Sequence, residues 1–422
     1  MQKPKRSFRI SFILGFVFLI SSWLNGQTIP LEKRIFILSK AYASIGIYFA
    51  HWEDSKIKPE NLDVVYQDYL KKAIGTETRR DFDLLMLEFV ALLNNSHTRY
   101  WDDILNKGAK TLGFSWVVLN GQWVVTNTSI DGLKRGDVVA KINGKPVDAV
   151  YSEYSKYMNA SGERARLNAA PYWLPLFVPD SYSLEFIDER GKINELKVDR
   201  TKLAIRSEKR KTEGDWIEKN KIAYIKIPSF GEPHFENDAL ELVKRYKKAP
   251  ALIIDVRGNT GGSTPGKLIQ ALMDRPYRWY EESTPMILAS FREDFYDSQF
   301  LKRSDYNKAE NTIFTGKLVI LIDRMTGSAA EDFVVSFKDN GRATLMGEKT
   351  HGSTGQPYIY DFGDGIKIFV GAKRAYMPDG SRFEGVGIAP DVEIKLEKID
   401  LRKGKDKIFD MALEVSRRYL EK

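Results

Sequence analysis

The chain has 422 residues, of which 43% are hydrophobic and 29% charged, a balance that excludes disorder and a length that predicts two or three domains. The formal charge of +8 falls to about +4 once the basic head Lys3, Lys5, Arg6 and Arg9 is set aside, too mild and scattered for a nucleic-acid partner. The absence of cysteine removes thiol catalysis and thiolate metal sites, and fits an oxidising compartment without disulfides.

Residues 1–26 read as a secretory signal. The basic head precedes an apolar run at 12–20 and then the polar stretch 24–27, with Gly26 as the small residue for cleavage. That run is short of the roughly 20 residues a spanning helix needs. No stable membrane insertion is expected after cleavage, and the mature chain is assigned to the periplasm or the exterior.

Residues 27–108 carry a helical pattern, with apolar residues at helical spacing through Ile35, Leu38 and Ala41 and again through Leu84, Leu85, Phe89 and Leu92. Asn94-Asn95-Ser96 ends the second run and delivers His97 into a loop. Residues 109–205 are β-rich, with short strands at 116–119, 123–127 and 182–187 and turn dipeptides at Asn120-Gly121 and Asn143-Gly144. The segment from Gly132 through Gly136-Asp137 to Asn143-Gly144 resembles a PDZ domain. Such domains take extended peptides onto a sheet edge, although no clear carboxylate-binding loop is visible here.

Residues 206–422 alternate strand and helix: strands at 222–227, 251–256 and 318–322, helices at 236–247, 265–273 and 328–338. This alternation predicts an α/β layer with parallel strands. The charge-rich stretch 395–407 reads as a solvated link to a final amphipathic helix.

Two strand-to-helix junctions carry the chemistry. Asp255-Val-Arg-Gly-Asn-Thr-Gly261-Gly262 places glycines after a buried strand, where they leave amide N–H groups open. Gly261 to Lys267 also fits a phosphate loop, but Leu268 replaces the hydroxyl that would hold magnesium and Pro265 removes an amide. The second junction, Asp323-Arg-Met-Thr-Gly327-Ser328-Ala-Ala-Glu331, opens a helix with an exposed serine beside helix N-terminal amides. Ser-x-x-Glu is equally a capping box, and spacing alone favours that simpler role for Ser328.

These junctions, read together with 222–230, Gly347-Glu-Lys-Thr350 and Glu384-Gly-Val-Gly-Ile-Ala-Pro390-Asp391, resemble the S41 peptidases, the family of C-terminal processing proteases and the tricorn core protease. The resemblance implies an α/β, multidomain protein with an N-terminal helical domain, a PDZ-like β-rich domain and a catalytic domain of the crotonase-like α/β spiral type. It implies a serine peptidase acting on peptide or protein substrates through an acyl-enzyme on Ser328, without metal or cofactor. Ala329 and an amide of Gly261 or Gly262 are the implied oxyanion donors.

Ser353 stands where the processing proteases carry their lysine base, so that dyad is not available. The tricorn branch offers instead a Ser-His pair and a distant glutamate, and Ser96, His97 and Glu384 match it. On that resemblance His97 takes the Ser328 proton, Ser96 orients the imidazole, and Glu384 supports the site through Ser96 or water. His351 is the rival base, nearer in sequence. Glu331 is left as a cap, and His51 and His234 as packing or surface residues. A histidine base with an ordinary pKa of about 6.5 predicts an activity rise between about pH 6 and 7. Two other functions stay open: a peptide- or ligand-binding protein that has lost catalysis, and an acyl-CoA-type enzyme on the same fold.

Overall fold

The computed structural model describes residues 28–108, 111–203, 210–287, 296–302 and 305–421; the signal segment 1–26 lies outside them. Near the N-terminus, helices Leu31–Tyr48, Leu62–Ile74 and Arg79–Ala91 pack on one another. The third starts on a capping box, in which Thr78 Oγ1 accepts from the Asp81 N–H and the Asp81 carboxylate accepts in return. Phe82, Met86, Phe89 and Val90, three and four residues apart, are buried along one face, each large side chain stabilising the fold by roughly 2 kcal/mol. Asn94, at φ 50°, ends the helical run and releases the turn that carries His97.

The helical core is completed by residues from far along the chain. Strand Arg99–Asp102 pairs antiparallel with Ile366–Gly371, which pairs with Pro357–Asp361, and Ile366, Ile368 and Val370 are buried among the helical apolar residues. Asp83 is also buried here. It accepts a hydrogen bond from Tyr100 Oη at 2.7 Å, and Arg79 Nε donates to Asp102 at 2.7 Å. Burial, with the neighbouring Asp102, pushes the Asp83 carboxyl up to about 7. The folded pKa therefore exceeds the unfolded one, so the Asp83 contribution is present below about pH 4 and is lost as pH rises through about 7. Asp83→Asn, which keeps an acceptor for Tyr100, should shrink the fall in Tm between about pH 5 and 8.5; thermal melts of both proteins read it.

The middle of the chain forms an antiparallel sheet of strands Phe114–Leu119, Gln122–Thr128, Val138–Ile142, Ser181–Ile187 and Ile193–Asp199, with the short Lys145–Pro146 pairing beside it. Asn120-Gly121 and Asn143-Gly144 all adopt positive φ in two-residue turns, the geometry that hairpin connections demand. Helices Val147–Tyr154 and Glu163–Trp173 bury residues against this sheet.

A second six-stranded sheet runs in the order Val392–Glu393, Thr344–Gly347, Lys317–Ile322, Ala251–Asp255, Ile222–Lys226, Glu213–Glu218. All neighbours are parallel except the last pair. All five residues of Ala251–Asp255 are buried, as a central parallel strand requires. The loops after Asp255, Ile322 and Gly347 leave from the same carboxyl edge, where ligands bind in such sheets.

The stretch 395–407 differs from its expected role as a solvated link. It contains the helix Lys398–Lys403, whose Leu401 is buried against Val117, Val124 and Val138 of the middle sheet. Leu396 packs beside it, so two apolar residues in a charged run dock the stretch.

Candidate active site

Ser328 stands at φ 53°, ψ −127° just before helix Ala329–Asn340. A non-glycine residue at such angles is strained and persists only where its surroundings impose it. Here its N–H donates to the Ser353 carbonyl at 2.9 Å and to Glu331 Oε2 at 3.2 Å. Glu331, fully buried, also accepts from Thr350 Oγ1, from the Gly352 N–H at 2.7 Å and from the Ser353 N–H at 3.1 Å. It is thus more than the cap read from the sequence, because it ties the serine turn to the 350–353 loop. Burial pushes its carboxyl up to about 8 against the hydrogen bonds from Thr350, Gly352 and Ser353.

Ser328 Oγ lies 3.3 Å from His97 Nε2 across 231 residues of chain. The other ring nitrogen, His97 Nδ1, lies 2.9 Å from Ser353 Oγ, and Ser353 donates to Glu384 Oε1 at 3.0 Å. The hydroxyl on His97 Nδ1 is therefore that of Ser353, where Ser96 was expected. Ser96 faces away because the turn reverses there: its Oγ accepts from the Ser161 N–H, its N–H donates to Ser161 Oγ, both at 2.9 Å, and its Oγ is 3.4 Å from His351 Nε2. The turn is held by Asn95, whose Oδ1 accepts from the His97 N–H and Thr98 Oγ1 at 3.1 and 3.0 Å.

Glu384 is 1% exposed. Its Oε1 collects hydrogen bonds from Ser353, from Asn95 Nδ2 at 3.0 Å and from Ser161 Oγ. Burial pushes its carboxyl up to about 7. Burial pushes the half-buried His97 the other way, to about 4, helped by His351 and Arg99. The pH window expected for a histidine base moves down with it. His351 is pushed down to about 4 too, and its Nε2 meets Ser96 rather than Ser328. His234 is exposed, in keeping with a surface residue.

The glycine loop lies against the serine turn. The N–H of Gly261 donates to Asn259 Oδ1 at 2.9 Å, so Gly261 is not a free donor, a correction to its expected role. Among the described residues no acceptor is paired with the N–H of Gly262 or Ala329. Gly261 supplies space: a Cβ there would stand 2.6 Å from Ser328 Cβ and 2.8 Å from the Ala329 nitrogen. The phosphate-loop alternative loses its amides, since Glu236 Oε1 accepts from the Lys267 and Leu268 N–H groups at 2.8 and 3.0 Å.

Sequence reasoning missed Ser353 as a partner of histidine, along with Ser161, Asn95 and the buried His51. Ser353 was visible only as the residue replacing a lysine, and His51 carried no local signal.

A serine opening a helix at the carboxyl edge of a parallel sheet, with an imidazole on its oxygen, defines the class of serine-type hydrolases. Residues 221–394 match the model of peptidase family S41. The carboxyl-terminal-processing protease of Picosynechococcus sp. is 24% identical over 358 residues, 82% of this chain and 80% of that one. The chloroplastic carboxyl-terminal-processing peptidase 2 of Arabidopsis thaliana is 28% identical over 176 residues, 40% of this chain but only 31% of its own length. Among solved structures, mature CPAF complexed with lactacystin superposes with a TM-score of 0.70 at 15% identity, covering 93% of this chain and 99% of that one. The photosystem II D1 C-terminal processing protease gives 0.52 at 18% identity, over 87% and 96% of the two chains; at such identities the likeness is one of fold. Residues 221–394 are thus a peptidase family S41 segment, and together with the carboxyl-terminal-processing relatives they mark a serine peptidase.

Proposed function

We propose that this chain is an exported peptidase that hydrolyses peptide bonds through an acyl-enzyme on Ser328, with His97 as base. The observation that carries the reading is the continuous line Ser328 Oγ, His97 Nε2, His97 Nδ1, Ser353 Oγ, Glu384 Oε1, with steps of 3.3, 2.9 and 3.0 Å between side chains. Neutral His97 carries its proton on Nδ1, donated to Ser353, which leaves the Nε2 lone pair for the Ser328 hydroxyl. As Ser328 Oγ attacks the scissile carbonyl, its proton passes to Nε2. The tetrahedral oxyanion is held by the N–H groups of Ala329 and Gly262. His97 then returns the proton to the leaving amine, and water repeats the sequence to release the acyl group.

The signal-like segment 1–26 supports export, into the periplasm or beyond the cell. The hairpin-rich 109–205 region supports the reading of a PDZ-like domain that receives extended peptide, and 206–422 that of a crotonase-like catalytic domain beside the helical 27–108. A fluorophosphonate probe tests the function directly: one equivalent of label on Ser328 is expected, and a protein that remains unlabelled is a binding protein on this fold. Gly261→Ala tests the oxyanion pocket. Its Cβ would enter the space before the Ala329 N–H, so kcat should fall at least about a hundredfold with the helix content by circular dichroism unchanged. Near-normal turnover would place the pocket elsewhere.

A further inference from the structure

His51 follows the first helix and is fully buried behind the site. Its Nε2 lies 3.1 Å from the Lys373 carbonyl. A carbonyl only accepts, so Nε2 carries a hydrogen and neutral His51 presents Nδ1 as a bare lone pair. That lone pair faces Glu384 Oε2 at 4.0 Å. Neither atom has a hydrogen-bond partner, although both side chains are completely enclosed. All the donors that reach Glu384 converge on Oε1. Gly371 leaves space for the ring, for a Cβ there would stand 3.2 Å from His51 Cδ2.

Two orphaned polar atoms in an enclosed interior cost stability unless they share a proton. We propose that His51 is a positioning residue of the relay: Glu384 rests with a proton on Oε2 directed at His51 Nδ1, and His51 takes that proton as His97 becomes charged. The inference rests on the assignment of His97 as base. In the shift the Oε2–H bond breaks and the Nδ1–H bond forms as the two side chains close the remaining ångström. Glu384 becomes a carboxylate, stabilising the imidazolium through Ser353, and the proton returns when His97 discharges to the leaving amine. The pair is neutral overall in both arrangements, so no buried net charge is created at rest. At rest burial keeps both groups neutral, holding the proton on Glu384, pushed up to about 7, and off His51, pushed down to about 3, until His97 is charged. The charged groups facing the pair are Arg374 with its partners Glu53 and Asp54, and Arg382, on the far side, and His97 and Glu331 on the site side.

His51→Gln keeps an N–H for the Lys373 carbonyl and removes the Nδ1 lone pair. In the wild type kcat/KM should stay level from about pH 8 to about pH 5. The variant should lose about ten- to a hundredfold in kcat near pH 6 with KM within about twofold, and gain an acid limb rising through about 7 as Glu384 ionises. A level profile in the variant, whether its rate is normal or uniformly lowered, overturns the proposal. An infrared difference spectrum of wild type against Glu384→Gln near pH 6 should show the loss of a protonated carboxyl; an ionised Glu384 there also overturns it. His97→Ala separates the two readings. If that variant is inactive while His51→Gln keeps a level profile, only the role of His51 falls; if it is active, the base assignment falls and this proposal with it.

Discussion

Ser328→Ala is expected to lower kcat on the order of a millionfold and to abolish fluorophosphonate labelling, with the fold intact. The magnitude follows from the loss of the acyl-enzyme route, after which only the oxyanion donors and substrate binding remain. The fold survives because the bonds holding the turn run from the Ser328 N–H to Ser353 and Glu331, and alanine keeps that N–H. Any stability change should stay within about 1 kcal/mol, the scale of a helix cap. The decisive measurement is turnover with a small ester or peptide, beside a thermal melt. Turnover above about a hundredth of wild type would move the nucleophile elsewhere.

His97→Ala should be nearly as severe, since serine and base act as a unit. His351→Ala and Lys349→Ala should keep most of the activity: His351 meets Ser96, and Lys349 is exposed. The Lys373 amine is engaged elsewhere, with Glu282 at 2.8 Å. The pH profile carries the same assignment. A base must be neutral to accept the Ser328 proton, and burial holds His97 neutral down to about 4. Activity should therefore rise through about pH 4 to 5 and stay level above it, lower than the window an exposed imidazole predicts. An inactive His351→Ala, or a rise near pH 9, would refute the His97 assignment.

The readable parts of this site were those written in consecutive residues. Gly327-Ser328 after an apolar strand, Gly261-Gly262 after another, and Ser96-His97 after a helical run each bear a local pattern that physical rules interpret. The catalytic roles of Ser328, His97 and Glu384 were reached only through resemblance. Ser353 was not read as a partner of His97 because nothing around Thr350-His-Gly-Ser353 tells which way its hydroxyl points; that depends on Glu331 gathering the loop. Ser96 misled for the converse reason, since adjacency to His97 in sequence placed the two side chains on opposite sides of a turn. The same limit applies to the fold. The strands of the central sheet were legible as apolar runs, whereas the hairpin of 357–371 sits among helices more than 250 residues upstream, a pairing no local pattern encodes. Leu401 was hidden among charges that suggested water on all sides.

The span between His97 and Ser328 also governs when the enzyme becomes dangerous to other proteins, or to itself. The serine, its helix and the glycine loop belong to one locally connected unit, while the imidazole arrives from a helical layer at the opposite end of the chain. Contacts of such sequence separation are slow to form, because a long loop must be closed before any energy is returned. On the proposed assignment, a molecule whose helical layer is not docked holds a nucleophile without its base, since the His97 Nε2 to Ser328 Oγ contact bridges the two. The architecture is its own safety catch.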